Sequence, residues 1–269
     1  MNKIKIILIL LFVSNRFTCQ NVEEAIKKTA IEYNDWTSSN QNIYNVLKNY
    51  KFICVGEMHG TNEPAEFLMG LAKTFISNNL KVIVGFEIPN NLMTEFQQQQ
   101  DSIGLAKTDF FSVKSIDGRA SKAWFNAINE CNKLGAKFCF FDNANSNRDL
   151  GMYEKLLESY HSDTSFIILT ISGNIHNKIA PYNNSKTMGC YLKENFGNKV
   201  CSINHLYNGG TMYNRTSKGL KIHTVQPTNG IYSTATNYKG YYLPNIFNIN
   251  DYSGFFFTKT VTASLPRIK

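Results

Sequence analysis

Five apolar runs lie between residues 52 and 203, and the segments separating them carry their apolar residues at helical spacing. The runs are Phe52 to Val55, Lys81 to Phe86, Lys137 to Phe141, Ser165 to Ile171 and Lys199 to Ile203. Helices are expected over Val22 to Tyr33, Glu63 to Ile76, Asn91 to Gln99, Arg119 to Leu134, Asp149 to Tyr160 and Lys186 to Asn195. Pro64 suits a first helical turn, and Gly135 is a natural stop. Continuously apolar strands alternating with helices predict an α/β fold, a three-layer sandwich whose central sheet is mainly parallel.

The texture changes after about residue 205. Gly209 to Val225 and Gly254 to Thr262 alternate with Gly and Tyr between them, and are expected as antiparallel C-terminal strands of the same sheet. The Tyr/Asn/Gly-rich stretch from Thr228 to Tyr252 is expected as a long surface loop.

The N-terminus departs from this pattern. Lys3 and Lys5 precede an apolar run from Ile6 to Val13, followed by Thr18-Cys19-Gln20. That run is too short to span a bilayer and reads as a secretory signal over residues 1–19. The protein is then exported: periplasmic, secreted, or an outer-membrane lipoprotein anchored through Cys19. Residues 20–269 are expected to form a single domain. The formal charge is +8, and removing Lys3, Lys5 and Arg16 with the leader leaves +5. The excess is spread thinly, with no dense basic tract, which argues against a nucleic-acid partner. Five cysteines remain beyond Cys19, without a Cys-x-x-Cys pair, and Cys54, Cys139 and Cys201 sit in strand-like runs as small hydrophobes.

The candidate chemistry lies where the apolar runs end. The first leads into Gly56-Glu57-Met58-His59-Gly60, and the second into Glu87. The third leads into Asp142, and the fourth into Ser172-Gly173-Asn174-Ile175-His176. Ligands of open α/β sheets bind beyond the carboxyl ends of the strands. A carboxylate at the end of a buried strand is costly unless paired, hydrated or ligating. Glu57, His59, Glu87 and His176 are therefore the candidate catalytic residues, with Asn174, Asp142 and Arg119 as candidate substrate-binding residues. Arg119 stands at a helix start, where a guanidinium can bind a carboxylate or phosphate bidentately, and Asp117 is the expected cap of that helix. Two chemistries suit this set. His59 or His176 could take a proton from water while Glu57 or Glu87 holds the imidazole. Alternatively Glu57, His59, Glu87 and His176 could bind a divalent metal that activates water. His-Glu-x-x-His and Gly-x-Ser-x-Gly are both absent, which excludes a zincin motif and a nucleophile elbow.

Gly-Glu-x-His-Gly after the first strand, Phe-Glu after the second and Gly-Asn-x-His after the fourth resemble the erythromycin esterase / ChaN-like / TIKI superfamily. The resemblance implies an α/β sandwich with its site at Glu57, His59, Glu87 and His176. Such a site belongs either to a hydrolase acting on a small-molecule or peptide substrate, or to a haem- or iron-binding lipoprotein without catalysis. The first motif is one residue shorter than the Gly-Glu-x-x-His-Gly of erythromycin esterases and leans toward the ChaN-like side. For the haem reading, the Tyr-rich C-terminal third supplies the candidate ligands.

Overall fold

The computed structural model describes residues 24–33, 35–99, 103–112, 118–143, 147–228, 240–245 and 250–267. The leader, Cys19 and Asp117 lie outside the described residues. The five apolar runs are strands β2 (Phe52–Glu57), β3 (Val82–Pro89), β4 (Lys137–Asp142), β5 (Ile167–Gly173) and β6 (Val200–Tyr207). With β1 (Ile31–Glu32), β9 (Gly240–Pro244) and β10 (Gly254–Thr258) they form one sheet in the order β1-β9-β10-β6-β2-β5-β3-β4. From β10 to β4 every pairing is parallel, while β9 pairs antiparallel with both β10 and β1.

Alternation along the strands divides the core into two layers. Ile53, Val55, Val84, Phe86, Leu169 and Ile171 pack on the side of helices α2 (Glu63–Ser77) and α5 (Lys122–Lys133). These two are numbered in chain order after α1 (Gln41–Leu47), with α3 (Met93–Gln99) and α4 (Ile103–Ala106) between them. Phe52, Cys54, Ile83, Cys139, Phe141 and Ile168 pack on the opposite side, against α6 (Arg148–Ser162) and α7 (Met188–Phe196). Each fully buried Leu, Ile or Phe contributes about 1.5–3 kcal/mol over its exposed state. Cys54, Cys131, Cys139, Cys190 and Cys201 are all buried free thiols.

Two expectations for the C-terminal third are corrected. The hairpin of β7 (Gly210–Thr216) and β8 (Gly219–Val225) is a separate two-stranded sheet. Its polar, half-exposed strands pair with each other, and it docks through Tyr207, Val225 and Val261. Part of the expected surface loop is the core strand β9, in which Tyr241 and Tyr242 are each 1% exposed. Tyrosine rings can fill a core as well as a surface. These two are buried packing residues, which removes them as haem ligands.

Residues 261–267 run as a strap across the loops that follow β2 and precede α5. Asn62 N donates to Thr262 O, Ser264 N to Gly60 O, and Lys122 N to Leu265 O. Glu63 anchors the strap, its Oε1 accepting from Thr262 N (2.8 Å) and Oγ1 (2.7 Å). Its Oε2 is buried and has no hydrogen-bond partner. Burial pushes the Glu63 carboxyl up to about 7. A raised folded-state value means that ionisation opposes folding. The stability Glu63 contributes is complete below its unfolded value of 4.5 and is lost as pH rises through about 7. The loss should be about 3 kcal/mol. Glu63→Gln should therefore flatten the pH dependence of stability, and urea unfolding at pH 5 and pH 9 checks this. An equally steep dependence in the variant would remove Glu63 as its cause.

Candidate active site

Strand register delivers the candidate residues to one edge. Glu57 on β2 lies opposite Gly173 on β5, and Asp142 on β4 lies opposite Pro89 on β3. The register of β3 against β4 shifts between Phe86 and Pro89, where Glu87 sits. Such irregularities bend a strand and re-aim its side chains. The expected end of this strand at Phe86 was therefore short, and Glu87 lies inside the strand with no exposed surface.

Buried Glu57 and half-buried His59 form a carboxylate–imidazole dyad. His59 Nδ1 is 2.6 Å from Glu57 Oε1, and the indole of Trp124 donates to Glu57 Oε2 at 3.1 Å. Gly60 makes the turn behind His59 at φ +85°, where a Cβ would lie 1.9 Å from Tyr213 O. His176 and Asp149 form a second dyad, with Nδ1 2.8 Å from Oδ1. The Nε2 atoms of both imidazoles face the Glu87 carboxylate, His59 at 3.7 Å from Oε2 and His176 at 3.8 Å from Oε1. Gly173 keeps this space open, since a Cβ there would lie 3.1 Å from His59 Nε2.

Glu87 is the hub of a wider network. Its Oε2 accepts from Gly173 N at 2.7 Å, and its Oε1 from Arg148 (2.7 Å) and Arg119 (3.1 Å). Both arginines also bind Asp142, Arg119 at 2.6 Å and Arg148 at 2.8 Å to each oxygen. Burial would raise the Asp142 carboxyl, but the hydrogen bonds from Arg148 and Arg119 prevail and hold it below the usual carboxylate range. Burial also opposes a charge on His59, but Glu87 and Glu57 outweigh it and raise the imidazole above its ordinary value. Glu57, Glu87, Asp142 and Asp149 exceed the two guanidiniums by two negative charges, which favours imidazolium formation.

All seven candidate residues therefore lie at one sheet edge, in different positions. Glu57, His59, Asn174 and His176 line a cleft of about 260 Å³, together with Met58, Gly173 and Ile175. Asn174 N donates to Glu57 O, and Asn174 O accepts from the Tyr252 hydroxyl. Arg119 and Asp142 pair with each other beneath the cleft, so the guanidinium expected to read a substrate anion instead binds Glu87 and Asp142. The cap of α5 is Ser121, which accepts from Trp124 N. Sequence reasoning missed Trp124, Arg148 and Asp149 as site residues. The last two were legible in principle, because they open the helix that follows the third strand end.

The metal-binding alternative does not fit the donor atoms. Among the described residues no three His, Cys, Asp or Glu side chains form a group able to hold a metal ion. Glu57 is engaged by His59 and Trp124, and Glu87 by Gly173 and two guanidiniums. A dication at Glu87 would be repelled by both arginines.

Solved structures place this architecture. A protein from Bacillus cereus superposes with a TM-score of 0.73 at 9% identity, covering 93% of this chain and 99% of its own. A succinoglycan biosynthesis protein gives 0.65 at 10% identity, covering 92% and 98%. A mutant of the erythromycin esterase EreC in its open conformation gives 0.56 at 9% identity, covering 83% and 94%. The chain shares its fold with these three proteins. No protein-family profile matches the sequence, and no curated protein matches it. At these identities the shared fold is carried by layer order and strand topology, and the chemistry has to be argued from the site itself.

Proposed function

We propose that this protein is an exported hydrolase that cleaves an ester, amide or peptide bond with a water activated by His59. One observation carries the reading: a buried carboxylate orients an imidazole whose other nitrogen opens into a cleft. Ionised Glu57 is an acceptor only, so it takes the His59 Nδ1–H and leaves a lone pair on Nε2. Nε2 removes a proton from water, and the water oxygen bonds to the substrate carbonyl carbon. The bond from that carbon to the leaving oxygen or nitrogen then breaks, and the proton passes from Nε2 to the leaving group. Glu57 and Glu87 stabilise the transient imidazolium, consistent with the raised proton affinity of His59. The shared fold with an erythromycin esterase supports ester chemistry, and the basic-then-apolar N-terminus supports export.

The test is a panel of ester, amide and peptide substrates offered to the wild type and to His59→Ala. Turnover by the wild type and a loss of about 100-fold or more in the variant are expected. Equal turnover by the two proteins on every hydrolysed substrate would end the proposal.

A further inference from the structure

Asp149 lies in the first turn of α6, and its Oδ1 accepts from two elements at once. One donor is His176 Nδ1 and the other is Met188 N at the start of α7, each at 2.8 Å. On the far side of the ring, Arg148 NH1 lies 3.5 Å from His176 Nε2. A guanidinium has donors only, so the nitrogen facing it presents a lone pair. Glu87 Oε1, which would favour a proton on Nε2, lies further off at 3.8 Å, so Asp149 and Arg148 together specify the Nδ1–H tautomer. Arg148 is itself fixed by Asp142 and Glu87.

We propose that Asp149 is a positioning residue that locks His176 as the Nδ1–H tautomer, making its Nε2 a second hydrogen-bond acceptor in the cleft. The catalytic part of this inference rests on the hydrolase reading above. The two imidazoles are then not interchangeable. His59 Nε2 faces an anionic oxygen and becomes an imidazolium readily. His176 Nε2 also has a guanidinium beside it, whose N–H groups face its lone pair. As the Nδ1–H tautomer, His176 accepts a hydrogen bond from the attacking water in place of the long Arg148 contact, while His59 takes that water's other proton. The water is held at two points, and such orientation can supply several kcal/mol of a barrier.

Asp149→Ala separates positioning from mere support. Without the carboxylate nothing holds the proton on Nδ1, and the ring can turn it toward the nearby Glu87 carboxylate as the Nε2–H tautomer. Imidazole nitrogen-15 shifts of the full chain should show a bare Nε2 on His176 in the wild type and a protonated Nε2 in the variant. Asp149→Glu should retain the wild-type tautomer. On a substrate from the panel, Asp149→Ala should lose about 100-fold in kcat with KM little changed, and Asp149→Glu should recover part of the loss. Wild-type His176 found as the Nε2–H tautomer would overturn the proposal. So would a tautomer change without loss of kcat, or a loss of kcat with the tautomer and pH profile unchanged. If the wild type hydrolyses nothing, the hydrolase reading and the catalytic role fall together, while the nitrogen-15 spectra still decide what Asp149 does to His176.

Discussion

Glu57→Gln should lower kcat by about 10³–10⁴-fold while leaving substrate affinity nearly unchanged. The carboxylate sets the tautomer of His59, and an amide N–H turned toward Nδ1 would oblige the ring to carry its proton on Nε2 instead. That nitrogen could then no longer take a proton from water. The fold should tolerate the change, because glutamine matches glutamate in shape and can keep one acceptor oxygen for the Trp124 indole. Kinetics on the best substrate of the panel, with circular dichroism to verify folding, would check this. A fall of less than 10-fold would mean that Glu57 does not orient the base.

Glu87→Ala should cost about 3–5 kcal/mol of folding stability, the range for removing one partner from a buried ion pair. Glu87 is fully buried and touches both guanidiniums as well as the Gly173 amide. Without it, Asp142 is the one carboxylate of this network left to both Arg119 and Arg148, and the Gly173 N–H loses its acceptor. Glu87→Gln should cost less, because it keeps the shape and one acceptor oxygen. Urea denaturation of the three proteins gives the comparison. A loss below about 1 kcal/mol for the alanine variant would show that water replaces the carboxylate freely.

The sheet was legible because strands buried on both faces must be apolar throughout, and the sequence marks them against helical spacing. The site was legible for a related reason. A Glu or His closing such a strand has few inexpensive places to go, so Glu57, His59, Glu87 and His176 could be grouped before their contacts were known. Their partners were hidden. Trp124 is at once a core residue of α5 and the donor to Glu57, and no local signal separates the two roles. Arg119 looked available because its neutralising carboxylates, Glu87 and Asp142, are 32 and 23 residues away. Strand β9 was hidden because tyrosine is amphipathic, and only tertiary packing decides whether it is buried.

The strap at residues 261–267 has a consequence in time. Its hydrogen bonds from Thr262 N to Glu63 and from the Asn62 amide to Thr262 join residues 199 and 200 positions apart. Contacts of that span raise the contact order of the chain, which slows folding. The turn carrying His59 is tied down only when residues about 200 positions apart have met, so the candidate site is complete no sooner than the strap.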